Sequence, residues 1–385
     1  MHKHVGVALS LGALLLLVSA VPLWATQAIV GAVYTMTNDP SGNAVLVFNR
    51  AADGSLTAGG SFATGGLGTG GREPDFGLGN AGALALSHDH RLLFVVNPGS
   101  DDLSVFAVMQ EGLQLLDRVS SGGQEPISVT VHRHLVYVLN AGGNVGRSDN
   151  MSGFVVRRRG QLSPLSDSTR PLSTDVTSPG QIRFSPDGKV LVVTEKATNI
   201  IDTYTVGKDG RTTGPQVIAA DAKTPFGFYF SNHNQLFISD DFNDAPDAGA
   251  LSSYLVADDG SLQLVSSVVP AVPPVTGACW VVVSPNGRFA YVANTVSSMI
   301  SLYNIHVQDG SVTFFRSFPS ATGPTDLEFS RDGRFLYVLA PDQFDLVEQA
   351  NPGINVFRVN PHDGSLMPLP GISGLPVSVD GLVVR

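Results

Sequence analysis

The chain of 385 residues carries 42 Gly and 24 Pro, is 15% charged and 43% apolar, and has a formal net charge of −10. It is too apolar for a disordered chain, too rich in turn formers for a helical bundle or coiled coil, and lacks the strict period of collagen. An acidic surface disfavours nucleic acid as a partner, and a single cysteine, Cys279, excludes a disulfide framework, CxxC zinc sites and CxxCH haem attachment.

The chain opens on Lys3 and an apolar run, Val5–Val18, broken by Pro22, with small residues at cleavage-like spacing at Val18-Ser19-Ala20 and Thr26-Gln27-Ala28. This predicts a signal peptide over residues 1–28 and an extracytoplasmic (periplasmic or secreted) protein with no stable membrane span after cleavage. The rival reading is an uncleaved anchor, since Val5–Trp24 is nearly long enough to span a bilayer.

From residue 29 to 385 one short unit recurs: a strand, a tight turn, and a second strand ending in a Tyr-Val-x-Asn-like motif. Seven copies of the second strand are visible, at 32–38, 92–97, 135–140, 190–195, 235–240, 289–294 and 335–340. Turns such as Ser185-Pro186-Asp187-Gly188 and Ser284-Pro285-Asn286-Gly287 precede it. Turns such as Asp53-Gly54, Asp259-Gly260 and Asp363-Gly364 close the unit, with Gly supplying the positive φ of a tight hairpin. No helical period of useful length is present. Small sheets of this kind cannot bury both faces alone, but seven packed radially can. The predicted fold is all-β, a single seven-bladed β-propeller domain over 29–385. A lone strand within Leu375–Val384 completes the N-terminal blade and closes the ring. Two stacked domains are the alternative, without a linker to mark them.

Between the strands, Gly65–Gly71 reads as a flexible crossing from the first blade to the second, and lacks the following helix of a phosphate loop. His88, His90, His132, His134 and His233 fall in first-to-second strand turns, on the rim opposite the expected site; they read as solvated or, less simply, as metal ligands. The acidic stretch Asp240–Asp247 reads as a polar loop or a calcium loop, though without the Gly and Glu of an EF-hand. Arg157–Arg159 reads as ordinary surface. No metal site and no cofactor is expected.

The repeated units, together with Thr194-Glu195-Lys196, Pro225–Phe228, Ala278-Cys279-Trp280 and Tyr291–Asn294, resemble the seven-bladed propeller lactonases. That family includes propeller-type 6-phosphogluconolactonase and the carboxymuconate-lactonizing enzyme, and the last motif is similar to YVTN repeats. The resemblance implies a lactonase-type hydrolase. Its His column falls on Ile127, its Arg-His columns on Gly180 and Gln181, its Asn-Glu pair on Glu195-Lys196, and a further Arg column on Thr325.

A small-molecule ligand is expected at the mouth where first strands begin and second strands end. That mouth gathers Gln181, Phe226, Trp280 and Asn294 as ligand-binding residues and Glu195, Lys196 and Asp326 as catalytic ones. Glu195 would serve as general base, with Lys196 or Gln181 on the oxyanion; an ion pair at a blade junction is its other reading. Cys279 has no predicted His beside it and reads as a buried thiol. The leading reading is hydrolysis of a sugar-acid or muconate-type lactone. The alternative is a non-catalytic extracytoplasmic ligand- or protein-binding propeller, and a redox propeller finds no motif. Oligomeric state is not legible.

Overall fold

The computed structural model describes residue 2 and residues 28–70, 81–342 and 351–385. The expected signal region therefore lies almost wholly outside the described residues, as do Gly71 and the ten-residue stretch it opens. Among the described residues there is no helix long and apolar enough to cross a membrane.

Seven antiparallel sheets form among the described residues, six of them with four strands and one with a short fifth. The second blade begins at Leu84–Leu86 and the third at Pro126–His132; the fourth to seventh begin at Pro179–Phe184, Pro225–Phe230, Ala278–Val283 and Asp326–Phe329. The first blade takes its innermost strand from the other end of the chain. Asp380–Val384 pairs with Ile29–Met36 in the register Val33↔Val384, Tyr34↔Val383 and Met36↔Asp380. The ring closes as expected, with a strand shorter than the segment in which it was sought.

Position in the blade sets the apolar pattern. Second strands lie between neighbouring sheets and are buried on both faces, so they read as continuous apolar runs such as Phe335–Ala340. Outermost strands such as Thr212–Ala219 bury only part of one face and are polar elsewhere.

Adjacent blades are joined by a recurring contact. The second-strand tyrosine of one blade donates to the closing turn of the next: Tyr137 to the Gly210 carbonyl (2.9 Å), Tyr291 to Gly364 (2.6 Å) and Tyr337 to Gly54 (3.0 Å). Blade four has Val192 at this position, and there Thr203 donates to the Gly260 carbonyl at 2.8 Å instead. The turn glycines have positive φ and no room for a side chain. A Cβ on Gly364 would stand 2.9 Å from the Tyr291 hydroxyl and the Phe289 ring, and one on Gly54 would stand 2.4 Å from Phe335. The second-strand tyrosine motif and the closing-turn motif legible in the sequence are thus parts of one inter-blade joint.

Candidate active site

The innermost strands of blades three to six each slip register at their first residues, between Pro126 and Ser128, Pro179 and Gln181, Pro225 and Phe228, and Ala278 and Trp280. These bulges bring neighbouring inner strands very close. A Cβ on Gly180 would stand 2.8 Å from the Phe226 carbonyl oxygen, and one on Gly227 2.7 Å from that of Cys279. Hydroxyls of the second strands hold the same carbonyls, Thr194 at Phe226 (2.6 Å) and Ser239 at Cys279 (2.8 Å). No side chain fits at 180 unless these strands part.

The second strands of blades four and five end at this same rim, since Pro179 pairs with Glu195 and Pro225 with Asp240. Their last residues, Glu195 and Asp240, belong to a repeated position whose side chain turns into the blade. Asn97 donates to Asp102 and Ser104, Asn140 to Asn150, and Asn294 to Ser301 (2.9 Å); Asp240 accepts from Ser252 (2.6 Å). Glu195 follows the pattern. It is fully buried, accepts from the Ser173 amide (2.9 Å) and from the Ser173 and Thr198 hydroxyls, and lies against Asp202. Burial, then the hydrogen bond and charge of Glu195, push the Asp202 carboxyl up to about 8.

The residues one step further along gather beyond the strand ends. The Lys196 Nζ stands 4.6 Å from the centre of the Phe226 ring, and that ring packs on Trp280 at 4.9 Å. Burial lowers the ammonium to about 8, opposed by the charges of Asp241, Asp244 and Asp380 around it. Asp241 is pushed up to about 6, by burial first and then by the charge of Asp244, against the pull of Lys196. The Cys279 thiol donates to Asp241 at 3.5 Å, and burial lifts its pKa well above the ordinary thiol value. It is a neutral donor at working pH and not a nucleophile. One ligand atom from each of Asp241, Asp244 and Cys279 lies within 4.8 Å of the others; the neighbouring lysine supplies counter-charge to this group.

Gln181 and Asp326 line the central channel at this end, yet both are engaged with the next blade. The Gln181 Oε1 accepts from the Phe228 amide (2.7 Å), and Asp326 accepts from the Leu382 amide of the closing strand (2.9 Å). Burial holds the Asp326 carboxyl well above its usual range.

Of the residues expected to meet, Lys196, Phe226, Trp280 and Cys279 converge. Glu195 and Asn294 do not; the two-residue period of the strand turns them inward, which corrects the expectation that they face the mouth. Asp241 was the member missed as a catalytic candidate. Its signal was the acidic loop directly following a second strand, at the position Lys196 holds one blade earlier. The expected flexible crossing is also held where it is described: Gly68 and Gly70 donate to the Asp39 and Asn38 carbonyls. After the undescribed stretch the chain returns at Ala81, packed among Phe226, Cys279 and Trp280, with its amide bonded to the Gly180 carbonyl (3.1 Å).

The family described as lactonase, 7-bladed beta-propeller, matches residues 41–171 and 247–379, well over half of the chain. The chain belongs to this family. A 6-phosphogluconolactonase of Buchnera aphidicola is 20% identical over 289 residues, covering 72% of this chain and 80% of its own. Among solved structures, a putative 6-phosphogluconolactonase from Bacteroides fragilis superposes with a TM-score of 0.70 at 18% identity, over 92% of this chain and 98% of its own. A periplasmic gluconolactonase of Pseudomonas aeruginosa does so with a TM-score of 0.71 at 17% identity and the same coverages. Within the lactonase family this chain keeps the ring and carries Lys196 where the resemblance puts a glutamate.

Proposed function

We propose that the protein hydrolyses a lactone, a cyclic ester of the sugar-acid or muconate type, at the Lys196–Asp241 end of the channel. One observation carries this reading. In a chain of the lactonase family, a lysine lowered toward neutrality and a carboxylate raised toward neutrality stand together beside an aromatic wall. General acid and base groups work best with pKa values near the operating pH.

In this mechanism Asp241 takes a proton from water as its oxygen attacks the lactone carbonyl. The ammonium of Lys196 faces the developing oxyanion. When the ring C–O bond breaks, Lys196 gives a proton to the departing alkoxide and the hydroxy acid leaves. The proton held by Asp241 then returns through solvent to Lys196. Phe226 and Trp280 give the ring an apolar face to pack on.

The test is a panel of neutral and phosphorylated lactones with the purified protein. Expected is turnover whose kcat/KM rises through about pH 6 and falls through about pH 8, as Asp241 ionises and Lys196 loses its proton. Lys196→Met should reduce it roughly 10²–10⁴-fold. A flat profile, or full activity in Lys196→Met, removes this site. The residues Ile127, Gly180 and Thr325 at the family's His and Arg columns favour a second reading, a binding propeller without turnover. Lactone or sugar-acid binding with no hydrolysis above background would decide for it.

We also infer export through residues 1–28. The short charged start and apolar run support it, as does the likeness to a protein described as periplasmic. N-terminal sequencing of the protein recovered outside the cytoplasm should begin at Ile29; an intact Met1 there would count against cleavage.

A further inference from the structure

The channel continues away from this site as a cavity of about 1760 Å³, from Gln181, Trp280 and Asp326 at one end to the first-to-second strand turns at the other. The turn end differs in charge from the rest of the molecule. The protein is acidic, with a formal charge of −10, and the Lys196 end sets one lysine among Asp241, Asp244 and Asp380. At the turn end Arg91, Arg133 and Arg331, from three different blades, line the cavity with His90 and His132, and Arg183 of a fourth blade lines it further in.

Arg183 sits part-way along the channel, its guanidinium 3.9 Å from the centre of the Tyr229 ring, with the Glu328 carboxyl beside both. Arg91 reaches Asp89 only at 3.8 Å. Arg133 and Arg331 are exposed and have no carboxylate within 4 Å among the described residues. The imidazoles register the same excess of positive charge. His90 is lowered by burial and then by Arg331 and Arg385, and His132 by burial and then by Arg133, against weaker opposition from Asp89 and Asp187.

We propose that the turn end of the channel is a second binding site, for a small oxyanion carrying several charges, a polycarboxylate or a phosphate ester. The cations lie on different blades, so one charged group cannot engage them together, while a molecule bearing two or three can bridge the mouth. Guanidinium forks suit carboxylate and phosphate equally, and only a small molecule can enter far enough to meet Arg183. The site does not depend on lactone hydrolysis, and its failure would leave that reading untouched.

Isothermal titration calorimetry at low ionic strength, with citrate and with inorganic pyrophosphate, tests it on wild type, on the double variant Arg133→Gln/Arg331→Gln, and on Lys196→Met. Expected is one saturable site per chain, weakened at least tenfold in the double variant and within twofold of wild type in Lys196→Met. The better of the two anions assigns the chemistry to carboxylate or phosphate. Three results would overturn the proposal: no binding of either anion, unchanged affinity in the double variant with its melting temperature preserved, or loss of binding in Lys196→Met.

Discussion

Two neighbouring residues divide structure from chemistry in blade four. Glu195 is the last residue of its strand and turns into the blade, where its carboxylate satisfies Ser173 and Thr198. Lys196 lies past the strand end, with its amide bonded to the Ser178 carbonyl at 3.1 Å and its ammonium over the Phe226 ring, so it joins the mouth. Glu195→Ala leaves a half-buried amide and two half-buried hydroxyls without their acceptor, and we expect a loss of about 1–3 kcal/mol in unfolding free energy. Turnover per folded molecule should stay within about twofold, where Lys196→Met loses it. Denaturant unfolding beside lactone kinetics would show the contrast.

The adjoining Asp202 makes stability depend on pH. Its folded pKa of about 8 lies above the ordinary 3.8, so the folded protein keeps a proton that the unfolded chain releases. The stabilisation is complete below about pH 4 and fades as pH rises toward 8. Melting temperatures of Asp202→Asn should therefore match wild type near pH 4 and below, and exceed it near pH 8. Parallel curves across that range would show that the pair carries no such linkage.

The strand–turn unit was readable because strands and Asp-Gly turns leave strong local marks. Six of the seven second-strand segments stand where their repeats placed them, down to Val190–Glu195 and Gln235–Asp240, and the first, expected at 32–38, is the strand Ile29–Met36. What each strand-end side chain faces left no local mark. Asn97, Glu195, Asp240 and Asn294 look alike as polar strand ends, and their partners come from the third strand or, for Glu195, from the blade-to-blade connection at Ser173 and the turn at Thr198. The joint between blades was half legible, as a tyrosine motif and a turn motif without the bond between them. Tyr291→Phe should cost about 1 kcal/mol, one hydrogen bond. Gly364→Ala should cost more, because its Cβ has nowhere to go and its φ is positive. Thermal melts of the two variants would rank them, and the reverse order would count against the joint as described.

Across the whole ring, closure rests on five residues of the C-terminus. Leu382 and Val384 are buried against the seventh blade and the first, and the Leu382 amide is tied to Asp326. Removing residues 380–385 strips two buried aliphatic side chains, roughly 1.5–3 kcal/mol each. It also exposes the edge of the strand holding Val33 and Tyr34. We expect a lower and broader melting transition and a tendency to associate through that edge, read by calorimetry and size-exclusion chromatography. A monomer melting like wild type would show that the ring does not need this clasp.

Period, turn chemistry and length were enough to specify seven blades, because each unit depends on residues near one another in the chain; closure was legible only by count, as a lone C-terminal strand matching an N-terminal blade that lacks its first. The bringing together of Lys196, Asp241, Phe226 and Trp280, and the opposite charge of the two channel ends, arise from residues on separate blades. Their spacing in sequence says nothing of their distance around an axis. Strand-end bulges and the two-residue alternation then choose which member of an adjacent pair, Glu195 or Lys196, meets the channel.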